Sequence, residues 1–185
     1  MTVSLDKNPD QLYPDNLLTE KTIPGRWRIA KTKSRREKAL AEFLAGRGIG
    51  YYLPMVKKRQ PGTKRVRYSL MPVFSGYIFF KCSDEQRYQA FTSNHIAGVM
   101  DVTDEAQLLR DLGRVQMAIS LDAPVYPYDF VSQGDLVEIV RGPLKGLQGI
   151  VNKKSKNYRL ILNVNSLMQA LAVDIEAHCI EPLRK

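Results

Sequence analysis

The chain has 185 residues, 44% of them apolar and 25% charged, with 28 lysines and arginines against 19 aspartates and glutamates, a formal net charge of +9. That balance excludes a disordered or fibrous chain and leaves room for one medium domain or two small ones with a negatively charged partner. The longest apolar stretch, Val73 to Phe80, is broken by Ser75 and Gly76 and falls far short of the roughly 20 residues a bilayer helix needs, so no helical membrane span is expected.

Met1 is followed by Asp6, Asp10, Asp15 and Glu20 rather than by a basic cap and an apolar run, so no secretory signal is expected and the chain is placed in the cytoplasm. Residues 1–25, with three prolines and no apolar period, read as a flexible leader. Trp27, Ile29 and Thr32 mark a strand. Ser34 then opens a helix whose apolar positions Ala39, Leu40, Phe43 and Leu44 recur at helical spacing, and Gly46 and Gly48 end it. Tyr51 to Leu53 form a second strand, stopped by Pro54. Residues 56–59 and 65–69 make a basic hairpin around Pro61-Gly62, and Val73 to Phe80 read as the central, aromatic strand.

Ser83 to Ser93 has the Ser-x-x-Gln form of a capped helix, with Tyr88 and Phe91 expected to face inward. Gly98 to Val102 give a short strand, and residues 104–119 a helix carrying Leu108, Leu109, Leu112 and Val115. The first module is therefore an α+β fold, an antiparallel sheet with packed helices, over 26–119. Residues 120–133, with Pro124 and Pro127 and no period, read as a linker. Four short apolar segments within 134–185 (136–140, 149–152, 159–164 and 170–175) are what a small β-barrel requires.

The charge is local: residues 26–67 carry +12, against −2 for 1–25, −4 for 68–131 and +3 for 132–185. Lys57, Lys58, Arg59, Lys64, Arg65 and Arg67 flank the hairpin tip, with Tyr68 beside them, a pattern suited to a nucleic-acid backbone and to base stacking. Cys82 and Cys179 lie in different regions without a CxxC motif and read as buried thiols. With His95 and His178 the only histidines, neither a zinc site nor a disulfide framework is expected, and no cofactor. The chain has no Walker A, Rossmann glycine pattern, HExxH or GxSxG, and its acidic pairs Asp84-Glu85 and Asp104-Glu105 sit at helix starts, where acids favour the dipole. No enzyme activity is expected.

Two motifs carry a resemblance. The run Val140-Arg-Gly-Pro-Leu-Lys-Gly-Leu-Gln-Gly-Ile-Val151, with Gly142, Pro143, Gly146 and Gly149, resembles the KOW motif. Trp27-Arg-Ile-Ala-Lys-Thr, the helix at Arg36, Tyr52-Leu-Pro54 and Pro72-Val-Phe-Ser-Gly-Tyr-Ile-Phe79 resemble, in order and spacing, the N-terminal domain of NusG. The chain is thus similar to the NusG/Spt5 transcription factors over about 26–183, as a specialised member of the RfaH or UpxY kind. Phe74-Ser75-Gly76-Tyr77 stands where the family has F-P-G-Y.

The resemblance implies an elongation or antitermination factor that binds the clamp helices of the RNA polymerase β′ subunit through Trp27, Phe74, Tyr77 and Phe79. It also implies contact of the basic hairpin with DNA of the elongation complex or with nascent RNA, and a monomer. Leu167 and Met168 align with a Phe-Gly pair that general NusG proteins present to Rho and to a small-subunit ribosomal protein, which puts Rho binding in doubt. The segment 166–180 would tolerate a helix, but Ile161, Val164, Val173 and Ile175 favour strands. The alternative is a KOW-type RNA-binding protein of the ribosome or its assembly, which leaves the Phe74–Tyr77 strand unaccounted for.

Overall fold

The computed structural model describes residues 8–20, 22–60, 67–121, 123, 125–128, 134–154, 157–176 and 179–183. The chain divides into two compact units, 1–103 and 104–185. Among the described residues no helix is long and apolar enough to cross a membrane.

The first unit is built on a five-stranded antiparallel sheet. Its strands are β1 (Leu12–Tyr13), β2 (Arg26–Thr32), β3 (Gly50–Tyr52), β6 (Tyr77–Cys82) and β7 (Ile96–Asp101), in the order β1-β3-β6-β2-β7. Helices α1 (Glu37–Ala45) and α2 (Asp84–Thr92) pack on it. Because side chains alternate between faces, Ala30, Tyr51, Ile78 and Phe80 join Leu40, Ala41 and Leu44 of α1 and Ala90 of α2 in one core. Trp27, Ile29, Tyr52 and Phe79 alternate onto the other face and are buried as well.

Between these strands, β4 (Met55–Gln60) and β5 (Arg67–Pro72) form a two-stranded ladder of their own, running from Met55 opposite Pro72 to Gln60 opposite Arg67. Its tip at Pro61-Gly62 lies outside the described residues.

Arg28 belongs to the basic segment by sequence, yet only 4% of it is exposed. Its guanidinium donates to Asp101 (3.0 Å), to the carbonyls of Cys82 (2.9 Å) and Ser83 (3.2 Å) and to Asp84, tying β2, β7 and the start of α2 together. The Cys82 thiol beside it is pushed up by burial, against the opposing pull of the guanidinium.

Several expectations change. Residues 8–20 are not a flexible leader: β1 pairs with β3, and Leu17, 1% exposed, sits over Gly50, where a Cβ would come within 2.7 Å of the leucine side chain. Helix α1 starts at Glu37 rather than at Ser34, and its N-cap, Arg36, makes no side-chain capping bond. The central strand starts at Tyr77, because Val73 to Gly76 form a turn with Gly76 at φ +84°. In α2 the expected capping box is present, but Tyr88 (74% exposed) and Phe91 (42%) face outward and only Ala90 is buried. Cys179 is half-buried rather than buried, and His95 is half-buried, edge-on to Phe43.

The Tyr51 phenol donates to the carbonyl of Asp10 (2.8 Å) and is pushed up to about 12, first by burial and then by Asp10, Glu42 and Tyr13. The folded chain therefore holds this proton above the unfolded value of about 10. The contribution of this phenol to stability is complete below about pH 10 and is lost as pH rises through about 12. In an alkaline absorbance titration at 20 °C, with urea midpoints taken alongside, Tyr51 should ionise about two pH units above an exposed tyrosine while the urea midpoint falls between pH 10 and 12; ionisation near pH 10 in the intact fold would contradict its placement.

The second unit opens with α3 (Glu105–Ser120). It packs on β11 (Asn157–Val164) and on a 3-10 turn at Asn165–Leu167. The buried Asp111 carboxylate accepts from Gln107 (2.7 Å) and from the Asn165 amide (3.1 Å) and side chain (3.3 Å), and burial pushes its pKa up. The sheet adds β8 (Val125–Tyr128), β9 (Asp135–Ile139), β10 (Gln148–Lys154), β12 (Gln169–Ile175) and β13 (Ile180–Pro182). The order is β13-β9-β10-β11-β12-β8, all neighbours antiparallel.

The expected linker thus contains a strand, β8, whose register with β12 runs from Val125 opposite Val173 to Tyr128 opposite Ala170. Segment 169–175 is strand rather than helix. Among the described residues the order is open, with β13 and β8 at its ends.

Candidate functional site

Tyr77 is placed by the turn before it. Gly76 donates its amide to the buried Glu37 carboxylate at the start of α1 (2.7 Å), and its carbonyl accepts from Thr32 at the end of β2 (2.8 Å). The chain then enters β6 with Tyr77 half-buried and opposite the exposed Lys31. Phe74 and Phe79 are brought together edge to face at 5.9 Å, but both are buried (2% and 0% exposed), as is Trp27 at 2%. Of the four expected polymerase-binding residues, Tyr77 alone offers surface. The other three are buried, Trp27 and Phe79 on the same face of the sheet as Tyr77 and Tyr52, whose phenol burial holds well above the tyrosine range.

The basic arm has the expected form. Lys57 and Lys58 are exposed in β4, Arg59 lies opposite Tyr68 in the ladder, and Tyr68 is 48% exposed. Lys57 pairs with Leu70, two residues from Tyr68, so this cation and this ring share a face of the ladder. The backbone of Arg67 opens β5, while Lys64 and Arg65 lie outside the described residues. Met71, 43% exposed, extends the arm's apolar surface.

In the second unit, Gly142 (φ +83°) and Gly146 (φ +89°) turn the chain from β9 into β10. The Gly146 amide donates to Ile139 (2.7 Å), and the Ile139 amide to Leu147 (2.9 Å). Pro143 is exposed at the outside of this turn. Gly149 serves differently: buried in β10, it lets β11 approach so closely that a Cβ would meet the Ile161 carbonyl at 2.6 Å.

Of the expected partner loop, Leu167 is half-buried and Met168, left-handed at φ +51°, is 65% exposed. An exposed methionine held in a turn anchored by Asp111 and Asn165 is suited to an adaptable apolar contact.

Sequence reasoning missed Tyr88 and Phe91 as surface residues. It had no local signal for the buried side of α2, since Ala90 is flanked by Gln89 and by the aromatic Phe91. It also missed the leader residues Asn8 and Gln11, which carry no periodicity and whose role lies in long-range hydrogen bonds.

A family model described as transcription termination factor nusG matches residues 25–117. Among solved structures, one described as a crystal structure of the MjSpt4:Spt5 complex is similar at 16% identity and a TM-score of 0.25, covering 86% of this chain and 97% of that one. No curated protein matches the chain.

Proposed function

Because the chain belongs to the NusG family of transcription factors, we propose that it is an elongation and antitermination factor that binds the clamp helices of the RNA polymerase β′ subunit through the Tyr77 end of its central strand. The observation that carries this reading is the family match over 25–117, which contains every expected polymerase-binding and nucleic-acid-binding residue. Tyr77 contacts the partner, and Trp27, Phe74 and Phe79 act by holding the sheet beneath it rigid. A half-exposed tyrosine beside buried aromatic neighbours is what an interface anchor requires, since little side-chain freedom is lost on binding.

Binding across the polymerase cleft favours the closed, elongating state by differential affinity, and no chemical step is involved. The arm places Lys57, Lys58 and Tyr68 against upstream or non-template DNA, where cations give salt-dependent affinity and the ring a stacking surface. The second unit acts as the KOW module, recruiting a partner such as a small-subunit ribosomal protein through Leu167 and Met168. Antitermination is preferred to Rho-dependent termination because Leu167-Met168 stands where general NusG proteins carry Phe-Gly.

Binding to purified bacterial core RNA polymerase tests this reading. Tyr77→Ala is expected to weaken the complex by about 2 kcal/mol, roughly 30-fold, while its melting temperature stays close to that of the parent. Failure to bind polymerase, with tight binding to ribosomal RNA at the same salt, would replace the reading with that of an RNA-binding ribosomal protein.

A further inference from the structure

The arm formed by β4 and β5 shares no ladder with the five-stranded sheet, so sheet hydrogen bonding does not set its direction. Chain geometry leaves it a pivot at Pro54, between the end of β3 at Tyr52 and the start of β4 at Met55. Met55 is buried and Val73 donates to the Pro54 carbonyl (2.9 Å), which keeps the base attached. The orientation of that base is governed by a second set of bonds, all of which lead to the N-terminal strap, residues 8–20.

Gln11 clasps the pivot from both sides. Its main-chain carbonyl accepts from the Leu53 amide (2.7 Å), and its side-chain Oε1 accepts from the Met55 amide (2.6 Å). On the other strand of the arm, Lys38 of α1 donates from Nζ to the Leu70 carbonyl (2.7 Å) and to the Asn8 side chain (2.6 Å). Both strands of the arm are thus tied near their base, one directly by the strap and one through a lysine that the strap also holds. The strap is itself anchored by its pairing with β3, by Leu17 over Gly50, by the Tyr13–Tyr51 ring stack at 6.2 Å and by the Tyr51 hydroxyl on Asp10.

We propose that the N-terminal strap is a positioning device for the basic arm, with Gln11 as its principal residue and Asn8, through Lys38, as the second stay. This rests on the reading of the arm as the nucleic-acid-binding element. At about 3.3 Å per residue, Lys57 and Lys58 stand about 10–13 Å along the strand from Pro54, so slack at the pivot displaces the cations. Holding the base fixed means that Lys57, Lys58 and Tyr68 meet a phosphate backbone already aligned, and the ordering cost is not charged to binding.

The test measures the affinity of the full chain for a fluorescein-labelled mixed-sequence DNA, as duplex and as single strand, over a range of salt. Gln11→Ala is expected to weaken binding about fivefold, the effect of losing one hydrogen bond that pre-organises the site. The slope of affinity against salt should stay unchanged, because the same cations still reach phosphates. Gln11→Glu should restore parental affinity, since its carboxylate accepts from the same Met55 amide. Lys57→Ala combined with Lys58→Ala should instead lower both affinity and salt slope. Melting curves matched to the parent show that each variant is folded.

If the lysine variant weakens binding and Gln11→Ala does not, the strap has no positioning role and the inference falls, while the reading of the arm stands. If Gln11→Glu fails to restore binding, the clasp on Met55 is not the cause and the inference falls as well. If neither the lysine variant nor Gln11→Ala changes affinity, the arm is not the nucleic-acid element, and reading and inference fall together.

Discussion

Replacing Phe79 by alanine is expected to destabilise the protein by about 3–5 kcal/mol, the range for removing a fully buried ring from a packed layer. Phe79 has 0% exposure, lies opposite Ile29 on one neighbouring strand and Tyr52 on the other, and meets Phe74 edge to face. Those neighbours belong to the central strands of the sheet and cannot collapse into the space without moving the backbone. For a unit of about a hundred residues, each kcal/mol shifts the midpoint by about 4–8 °C, so a fall of roughly 12–40 °C is expected in a circular-dichroism melt. Polymerase binding should fail in step with the folded fraction and recover on cooling below the new midpoint. Tyr77→Ala should behave in the opposite way, with a near-parental melt and weakened binding. A Phe79→Ala melt within a few degrees of the parent would show that Phe79 is not in the core.

Gly149→Ala is expected to cost about 3 kcal/mol, towards the upper end for overpacking, because the added methyl meets main chain rather than a movable side chain. Its Cβ would lie 2.6 Å from the Ile161 carbonyl and 3.0 and 3.1 Å from Leu160 side-chain atoms. The β10–β11 ladder runs through this point, with Ile150 opposite Ile161, so relief requires the two strands to separate. Gly146→Ala provides the comparison. Nothing lies within 4 Å of its Cβ position, and the cost there is the left-handed φ of +89°, about 1–2 kcal/mol. Urea denaturation of the two variants should rank Gly149→Ala as the more damaging, and the reverse order would mean that the close strand approach is absent.

Much of the first unit was legible because its signals are local. The capping box at Ser83 and Gln86 is a contiguous pattern and formed as read, and the alternation through Trp27 and Ile29 correctly marked β2. The errors came from tertiary effects. Val73 and Phe74 are apolar and buried, which from sequence is indistinguishable from strand, yet the chain turns there because Glu37, far away in sequence, captures the Gly76 amide. Tyr88 and Phe91 have helical spacing, but nothing local says which side of a short helix meets the sheet; the small Ala90 took that place.

Val125 to Tyr128 carry a proline and read as linker, but at the end strand of a sheet a missing amide is tolerated, and β8 is such a strand. The site was legible in composition more than in geometry. The basic run and Tyr68 announced the arm, while Tyr77 shares its face of the sheet with buried Trp27 and Phe79 and differs from them by standing at the start of its strand, which alternation does not reveal.

The arm's independence from the main sheet bears on how this protein could diversify. Its two strands enter and leave at Pro54 and Pro72, residues that have no amide with which to carry the ladder onward, so extra residues beyond the stem would leave the register of β3 and β6 untouched. Loop tips of this kind accept insertion and exchange at small thermodynamic cost. Evolution could therefore lengthen, recharge or replace the outer arm while the central strand and its aromatic neighbours stay as they are, and new target preferences could arise without rebuilding the fold that presents them.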